Sequence, residues 1–150
     1  MCGFIAILQD HCIINSAAAR RALDAIAHRG PDASDEWREG DMFLGHRRLS
    51  IIDLTTGDQP MQSSDGRYVI VFNGEIYNFM EVRELLVRAG ATFRTRSDTE
   101  VILQGYQRWG SSVVERLQEA AATAGSAEDE EEATAGSLAL AIDVQDAGPN

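Results

Sequence analysis

The chain has 150 residues, of which 44% are hydrophobic, and this length and composition are typical of one globular domain with one core. Its formal net charge of −11 disfavours nucleic acid and anionic membranes as partners, and the absence of any lysine excludes a Walker-type phosphate loop and a Schiff-base mechanism. No apolar run approaches the ~20 residues that a membrane span needs, and the two cysteines and three histidines lack the spacing of a metal site, so we expect a cytoplasmic protein without a bound metal.

The first half of the chain predicts strands interrupted by one helix. Short apolar runs of strand length occur at 3–8, 42–46 and 49–53. Asn15 or Ser16 begins a helix that extends to about Ala27. The segment HRGPD (28–32) breaks this helix and predicts a loop, and a turn follows the later strands at 57–61.

The residues from 67 to 117 predict two strands and three helices. The strands are RYVIVFNG (67–74), which is β-branched and aromatic, and ATFRT (91–95). The helices run from Asn78 to Gly90, from Ser97 to Gly110 and over SSVVERL (111–117). Glu81 and Glu100 stand three residues after Asn78 and Ser97, as in a capping box. Hairpins mixed with helices in this order predict an α+β fold.

The composition changes after Leu117. Residues 118–150 contain eight acids and no base, and 118–135 is a low-complexity segment that cannot bury enough apolar surface to fold by itself. SLALAIDV (137–144) predicts one more strand. Its large aliphatic residues, expected to face the core, are Leu138, Leu140 and Ile142. We therefore expect a folded domain at 1–117 and an acidic segment with this one strand at 118–150.

Cys2 is a candidate nucleophile. Removal of the initiator methionine would leave it with a free α-amine, whose pKa near ~8 keeps part of it neutral at physiological pH. One residue would then hold a thiol and a neighbouring base. The alternative is a small buried hydrophobic residue at the start of a strand.

Asn73, Gly74 and Glu75 lie at the end of the clearest strand. An asparagine amide beside a glycine N–H can stabilise an oxyanion, whereas the alternative is an ordinary Asn-Gly hairpin turn. Arg48 can bind a carboxylate through two parallel hydrogen bonds, and Asp98 can pair with an ammonium group. The alternatives for these two are a solvated cation at a strand edge and a helix cap.

Several strings of residues occur in order along the chain. They are Met-Cys-Gly at the start, HRGPD (28–32), GHRRLSIIDL (45–54) with QPM (59–61), VFNGEIYNF (71–79) and RSDTEVIL (96–103). Together they resemble the glutaminase domain of the glutamine-hydrolysing asparagine synthetases, class II amidotransferases of the N-terminal-nucleophile type. The resemblance covers residues 1 to about 117. It implies an αββα four-layer sandwich, in which two antiparallel sheets stack between helical layers.

The resemblance also implies a role for each matching residue. Cys2 would attack the side-chain amide carbon of glutamine, and Asn73 and Gly74 would stabilise the oxyanion. The other glutamine-binding positions would be Arg48 on the α-carboxylate, Leu49, Ser50, Ile51 and Ile52 along the pocket, and Glu75 and Asp98 on the α-amino group. Ammonia would pass to a synthetase domain or subunit, where ATP and Mg²⁺ activate aspartate. No cofactor is expected in this chain.

The resemblance weakens after Leu117. The family continues directly into a strand that GSLALAID (136–143) matches only weakly, and its later strands and synthetase domain are absent here, so we expect a truncated, incomplete sandwich. One alternative is a non-catalytic remnant or interaction module. Another is a glutaminase part that supplies ammonia to a different acceptor, such as a sugar or an antibiotic precursor. The residues that match no catalytic position, and are interpreted as structural, are His11, Cys12 and His46.

Overall fold

The computed structural model of the chain describes residues 2–9, 14–49 and 57–117, together with the backbone of 138–143. It contains two three-stranded antiparallel sheets and packed helices, as the predicted α+β class requires. In the first sheet the central strand, β3 (Met42–Arg48), lies between β1 (Gly3–Leu8) and β2 (Ala33–Glu39). Gly3 lies opposite Arg47, so the start of β1 is beside the end of β3.

Strand β2 was not predicted from the sequence. Its residues, ASDEWRE, are polar or charged except for Ala33 and Trp37, and most of them are exposed. It is an edge strand whose conformation is set by antiparallel pairing with β3, along which Trp37 lies opposite Leu44. The predicted strand at 42–46 continues to Arg48, whereas the predicted strand at 49–53 falls largely outside the described residues.

The second sheet has β5 (Tyr68–Asn73) at its centre, between the short strand β4 (Met61–Gln62) and β6 (Leu138–Asp143). Strand β6 confirms the strand predicted at 137–144, and it pairs with β5 along its whole length. In this register Leu140 lies opposite Val71 and Ile142 opposite Val69. Which face its side chains occupy stays a prediction, as does the character of 118–135, which lies outside the described residues.

The described residues form three helices of ten residues or more. They are α1 (Ser16–Ala25), α2 (Phe79–Arg88) and α3 (Asp98–Trp109), and short 3-10 turns occupy Ala27–Arg29 and Gly110–Ser112. The Asn15 side chain accepts a hydrogen bond from the Ala18 N–H at 3.1 Å, and Ser97 accepts one from the Thr99 N–H at 3.1 Å. Such caps typically contribute ~1 kcal/mol each, which explains why both starts were predictable. Residues 113–117 are helical as well.

Three local predictions were wrong. Asn78 lies at the N-cap of α2 as predicted, but its side chain makes no capping hydrogen bond, and its amide nitrogen donates to the Leu117 carbonyl at 3.4 Å. The segment 91–95 is not a strand. The backbone N–H groups of Arg94 and Thr95 are bound by the Glu100 carboxylate, at 2.9 and 2.6 Å, so they are not available to a sheet. Glu100 therefore does not complete the capping box that its spacing suggested.

The apolar side chains fall into clusters that define how the elements stack. Phe43 and the outer side of β1 pack on α1, through Ala19 and Leu23. On the opposite side of the first sheet, Leu44 packs against Val69 and Val71 of the second sheet. Each such burial contributes on the order of 2 kcal/mol, so the two sheets are joined mainly through the side chains between them.

The far side of the second sheet is covered by α3. Ile70 and Phe72 of β5 pack against Ile102 and Leu103 of that helix, and α2 packs on α3 through a separate cluster around Val82, Leu86 and Val101. No helix within the described parts of the chain is long and apolar enough to cross a membrane. The expected cytoplasmic location stays a prediction.

Candidate active site

The pairing of β1 with β3 brings Cys2 to the backbone of Leu49. The Cys2 thiol is partly buried and donates to the Leu49 carbonyl with a sulfur–oxygen distance of 3.7 Å, while the Leu49 N–H donates to the sulfur at 3.4 Å. These two contacts hold the thiol against Leu49, which directly follows Arg48. Two residues predicted to share a site are thus brought together at the end of β3.

The HRGPD loop packs against this same point. Arg29 Nε donates to the Cys2 carbonyl oxygen at 3.2 Å, and the Asp32 N–H donates to the Arg48 carbonyl at 3.1 Å. Gly30 lies so close to β3 that a Cβ there would be 2.3 Å from the Arg47 carbonyl carbon, which requires glycine. The sequence predicted only a loop here. The sequence did contain a signal for this contact, because HRGPD and Met-Cys-Gly belong to the same set of strings that carry the family resemblance.

Arg48 is not the solvated strand-edge cation that was one alternative, since only 8% of it is exposed. Its Nη1 donates to Asp58 Oδ1 at 2.7 Å, and the side chain of Asp58 is 76% exposed. A Cβ placed at Gly57 would lie 3.2 Å from Arg48 Nη2 and 3.9 Å from the Ser97 Cβ. The guanidinium group therefore lies between the end of β3 and the start of α3.

His46 links the two sheets near Arg48. Burial and, to a smaller extent, the positive charge of Arg48 lower its pKa from 6.5 to about 4, against the opposing effect of a hydrogen bond with the Phe72 backbone. The ring is therefore neutral at physiological pH, and its Nε2 has no hydrogen-bond partner within the described residues. Because Phe72 directly precedes Asn73, this contact joins the end of β3 to the end of β5.

Asp98 lies at the start of α3 and contacts the segment that follows β5. Its Oδ2 accepts from the Ile76 N–H at 3.2 Å and its Oδ1 from the Thr99 N–H at 2.8 Å. Burial is the main cause that raises the Asp98 pKa, the nearby Glu75 charge raises it as well, and the two N–H groups oppose this. A cation bound between these two carboxylates would relieve their repulsion, as an ammonium group can.

The predicted site residues thus form two groups. One contains Cys2, Arg48 and Leu49, and the other contains Asp98, Glu75 and the end of β5, where Asn73 is half-buried and Gly74 exposed. The two groups are connected by the contact of His46 with the Phe72 backbone and by the Arg48 guanidinium group, which lies near the start of α3. Ser50, Ile51 and Ile52 fall outside the described residues, and the role of each residue on a substrate stays a prediction.

Residues 1–134 match the family described as "Glutamine amidotransferase domain". The chain belongs to this family. It is 40% identical to "Asparagine synthetase [glutamine-hydrolyzing] 1" of Bacillus subtilis over 122 residues, which are 79% of this chain and 19% of that protein. It is 45% identical to an asparagine synthetase of Sandersonia aurantiaca over 121 residues, with 78% of this chain and 22% of the relative covered.

A putative asparagine synthetase of Mycobacterium tuberculosis H37Rv is 44% identical over 113 residues, which are 69% of this chain and 17% of that relative. The chain thus spans about a fifth of the length of these curated relatives. All three are named as glutamine-hydrolysing enzymes, and the recognition made from the sequence strings is confirmed at the level of the family.

Proposed function

We propose that this chain is the glutaminase part of an asparagine synthetase and that it releases ammonia from glutamine through a thioester on Cys2. The main observation in support is the placement of the Cys2 thiol against the Leu49 backbone, beside the buried Arg48, in a chain of the glutamine amidotransferase family. The stacking of α1, the two sheets and α3 also supports the finer proposal of an N-terminal-nucleophile αββα sandwich.

The reaction begins with glutamine bound by its two charged ends. Arg48 binds the α-carboxylate with guanidinium N–H groups, and Asp98 and Glu75 bind the α-ammonium group. The Leu49 backbone, with Ser50, Ile51 and Ile52, lines the pocket. This arrangement directs the side-chain amide of glutamine toward Cys2.

Cys2 then attacks the amide carbon. The thiol proton passes to the α-amine of Cys2, which must be free, so Met1 must have been removed. The side-chain amide of Asn73 and the N–H of Gly74 stabilise the negative oxygen of the tetrahedral intermediate. When this intermediate collapses, the carbon–nitrogen bond breaks, the leaving nitrogen takes the proton as ammonia, and a thioester remains on Cys2.

Water completes the cycle. It loses a proton to the same α-amine and attacks the thioester, and the sulfur leaves as the glutamyl carboxylate forms. Each turnover consumes one glutamine and one water and releases one glutamate and one ammonia. We propose aspartate as the final acceptor, in a synthetase domain or subunit that uses ATP and Mg²⁺, because the relatives carry the name asparagine synthetase.

The test is glutamate release by the full chain and by two cysteine variants. Cys2→Ala is expected to abolish glutamate release, and a glutamine-like electrophile should alkylate only the chain that retains Cys2. Cys12→Ala is the matched control and should keep nearly full activity. Equal loss in both variants would contradict the assignment of the nucleophile. Intact-mass measurement of the active protein should give the mass without Met1, and a retained methionine would remove the proposed base.

A further inference from the structure

Strand β4 begins directly after Pro60, and its ladder with β5 ends at Met61. Met61 lies opposite Ile70 and Gln62 opposite Val69, so the same register would put residue 59 opposite Phe72. The ladder does not extend to this pair. The Phe72 N–H is instead bound by a side chain, because it donates to Gln59 Oε1 at 2.6 Å. Gln59 thus completes the ladder at the residue before Asn73.

The other end of the Gln59 amide reaches α3. Gln59 Nε2 donates to Thr99 Oγ1 at 3.1 Å, and Thr99 is buried in the first turn of that helix. The Thr99 hydroxyl lies 3.5 Å from Asp98 Oδ1, and the Thr99 N–H donates to the same oxygen. One side chain therefore joins the strand that ends in Asn73 to the helix that begins with Asp98.

These contacts close into a ring. From Phe72 the backbone runs through residues 73–75 to Ile76, whose N–H donates to Asp98 Oδ2. Asp98 continues to Thr99, Thr99 to Gln59, and Gln59 returns to Phe72. Residues 73–75 are the predicted oxyanion donors and one of the predicted amine ligands. The ring thus surrounds the segment that must fit both ends of a glutamine molecule.

A glutamine side chain suits both contacts of this link. The Phe72 N–H can only donate, so the amide oxygen faces it and the amide nitrogen faces Thr99. Because the Thr99 hydroxyl oxygen accepts the bond from Gln59, the hydroxyl hydrogen can point at Asp98 Oδ1. A carboxylate at position 59 could only accept, so it would draw the Thr99 hydrogen toward itself and add a negative charge close to Asp98.

We propose that Gln59 is a positioning residue of the glutaminase reaction, which holds the oxyanion donor Asn73 in register with the amine-binding Asp98. The inference rests on the proposed function and adds a residue to it. Gln59 touches no reacting atom in this scheme. Its effect arises because one substrate must meet Asn73 and Asp98 at the same time, and misplacement of reacting groups by ~1 Å can lower the rate roughly a hundredfold.

The test uses Gln59→Met, which keeps the length of the side chain and removes both hydrogen bonds, in the full chain. We expect kcat/KM for glutamate release to fall roughly 10- to 100-fold. Gln62→Met is the matched control, because Gln62 is exposed and its side-chain amide donates to the Gly66 carbonyl, at 3.2 Å, within the part of the chain that the structure describes. Its kcat/KM should stay within twofold of the original value.

Two labelling rates separate positioning from a general loss of structure. Iodoacetamide reports the exposure of Cys2, whereas a glutamine-like electrophile labels Cys2 only from an assembled substrate site. Gln59→Met should slow the second reaction and leave the first unchanged. Equal slowing or acceleration of both would overturn the proposal in favour of a purely structural role.

Gln59→Glu provides a test that does not depend on how Gln59→Met folds. A protonated carboxyl presents one acceptor and one donor, as the amide does, whereas an ionised one presents only acceptors. The activity of Gln59→Glu relative to the original chain should therefore rise as pH falls. A ratio that stays constant with pH, or full activity of Gln59→Met, would overturn the proposal and leave the proposed function standing. Absence of glutamate release from the original folded chain would overturn both.

Discussion

The two faces of β3 differ in character along the same seven residues. On the face toward α1, Phe43 is buried among aliphatic side chains, Gly45 lies against Leu23, and Arg47 donates to the Leu23 carbonyl and pairs with Asp24. This face stays structural to its end. Even its arginine serves to attach the helix to the sheet.

The face toward the second sheet changes from apolar to polar. Leu44 packs against valines of β5, His46 contacts the Phe72 backbone, and Arg48 reaches Asp58. Because side chains alternate between the two faces of a strand, the facing side of β5 shows the same change from apolar to polar, from Val69 and Val71 to Asn73. The layer between the sheets is therefore apolar at one end and polar at the other, where Arg48 and Asn73 lie.

The largest effect should come from the polar end of β5. Asn73→Ala is expected to lower kcat roughly a hundredfold or more, the usual cost of one oxyanion donor, with little change in KM. Steady-state glutamate release measures both constants. Asn15→Ala is the matched control, since Asn15 caps α1 far from the site and should cost only ~1 kcal/mol of stability. A pure KM effect from Asn73→Ala would contradict the oxyanion assignment.

The buried histidine should make stability depend on pH. The His46 pKa is lowered from 6.5 to about 4, so the folded state keeps the ring neutral while the unfolded chain protonates it below about 6.5. The neutral His46 ring makes its full contribution to the free energy of unfolding above pH 6.5. As the pH falls toward 4, this contribution is lost and the free energy of unfolding decreases by about 3 kcal/mol.

Urea unfolding between pH 7 and pH 4 measures this effect in the original chain and in His46→Gln. The free energy of unfolding of His46→Gln should depend less on pH than that of the original chain. His28→Gln, at an exposed position, should keep the original pH dependence. The Asp98 pKa is raised, so that group acts in the opposite sense. The difference between variants is therefore the decisive quantity, and identical slopes in His46→Gln and the original chain would contradict the burial argument.

The smallest of the three effects compares neighbouring arginines on opposite faces of β3. Arg48→Ala should raise KM for glutamine roughly tenfold or more with little change in kcat, because a charge-assisted contact to the substrate carboxylate is lost. Arg47→Ala should leave KM unchanged and lower the unfolding midpoint instead. Equal KM changes in both would mean that the two faces do not differ in the proposed way.

Much of the fold could be predicted because its signals are local. The β-branched run of β5 and the caps of α1 and α3 act through residues at most a few positions away. Strand β2 could not be found in this way, since its polar sequence becomes a strand only by pairing with β3. The segment 91–95 has the composition of a strand, yet its N–H groups are taken by the buried Glu100.

The sequence by itself determined the family, because motif strings need only the order and identity of residues. It also indicated four candidate site residues, Cys2, Arg48, Asn73 and Asp98. It did not decide between a role in an active site and a purely structural role for each of them. Only the tertiary structure decided that Cys2 lies against Leu49, 47 positions away in the chain, and that Arg48 is buried. The physical reason is that burial and strand pairing depend on distant segments, whose approach no local pattern of side chains encodes.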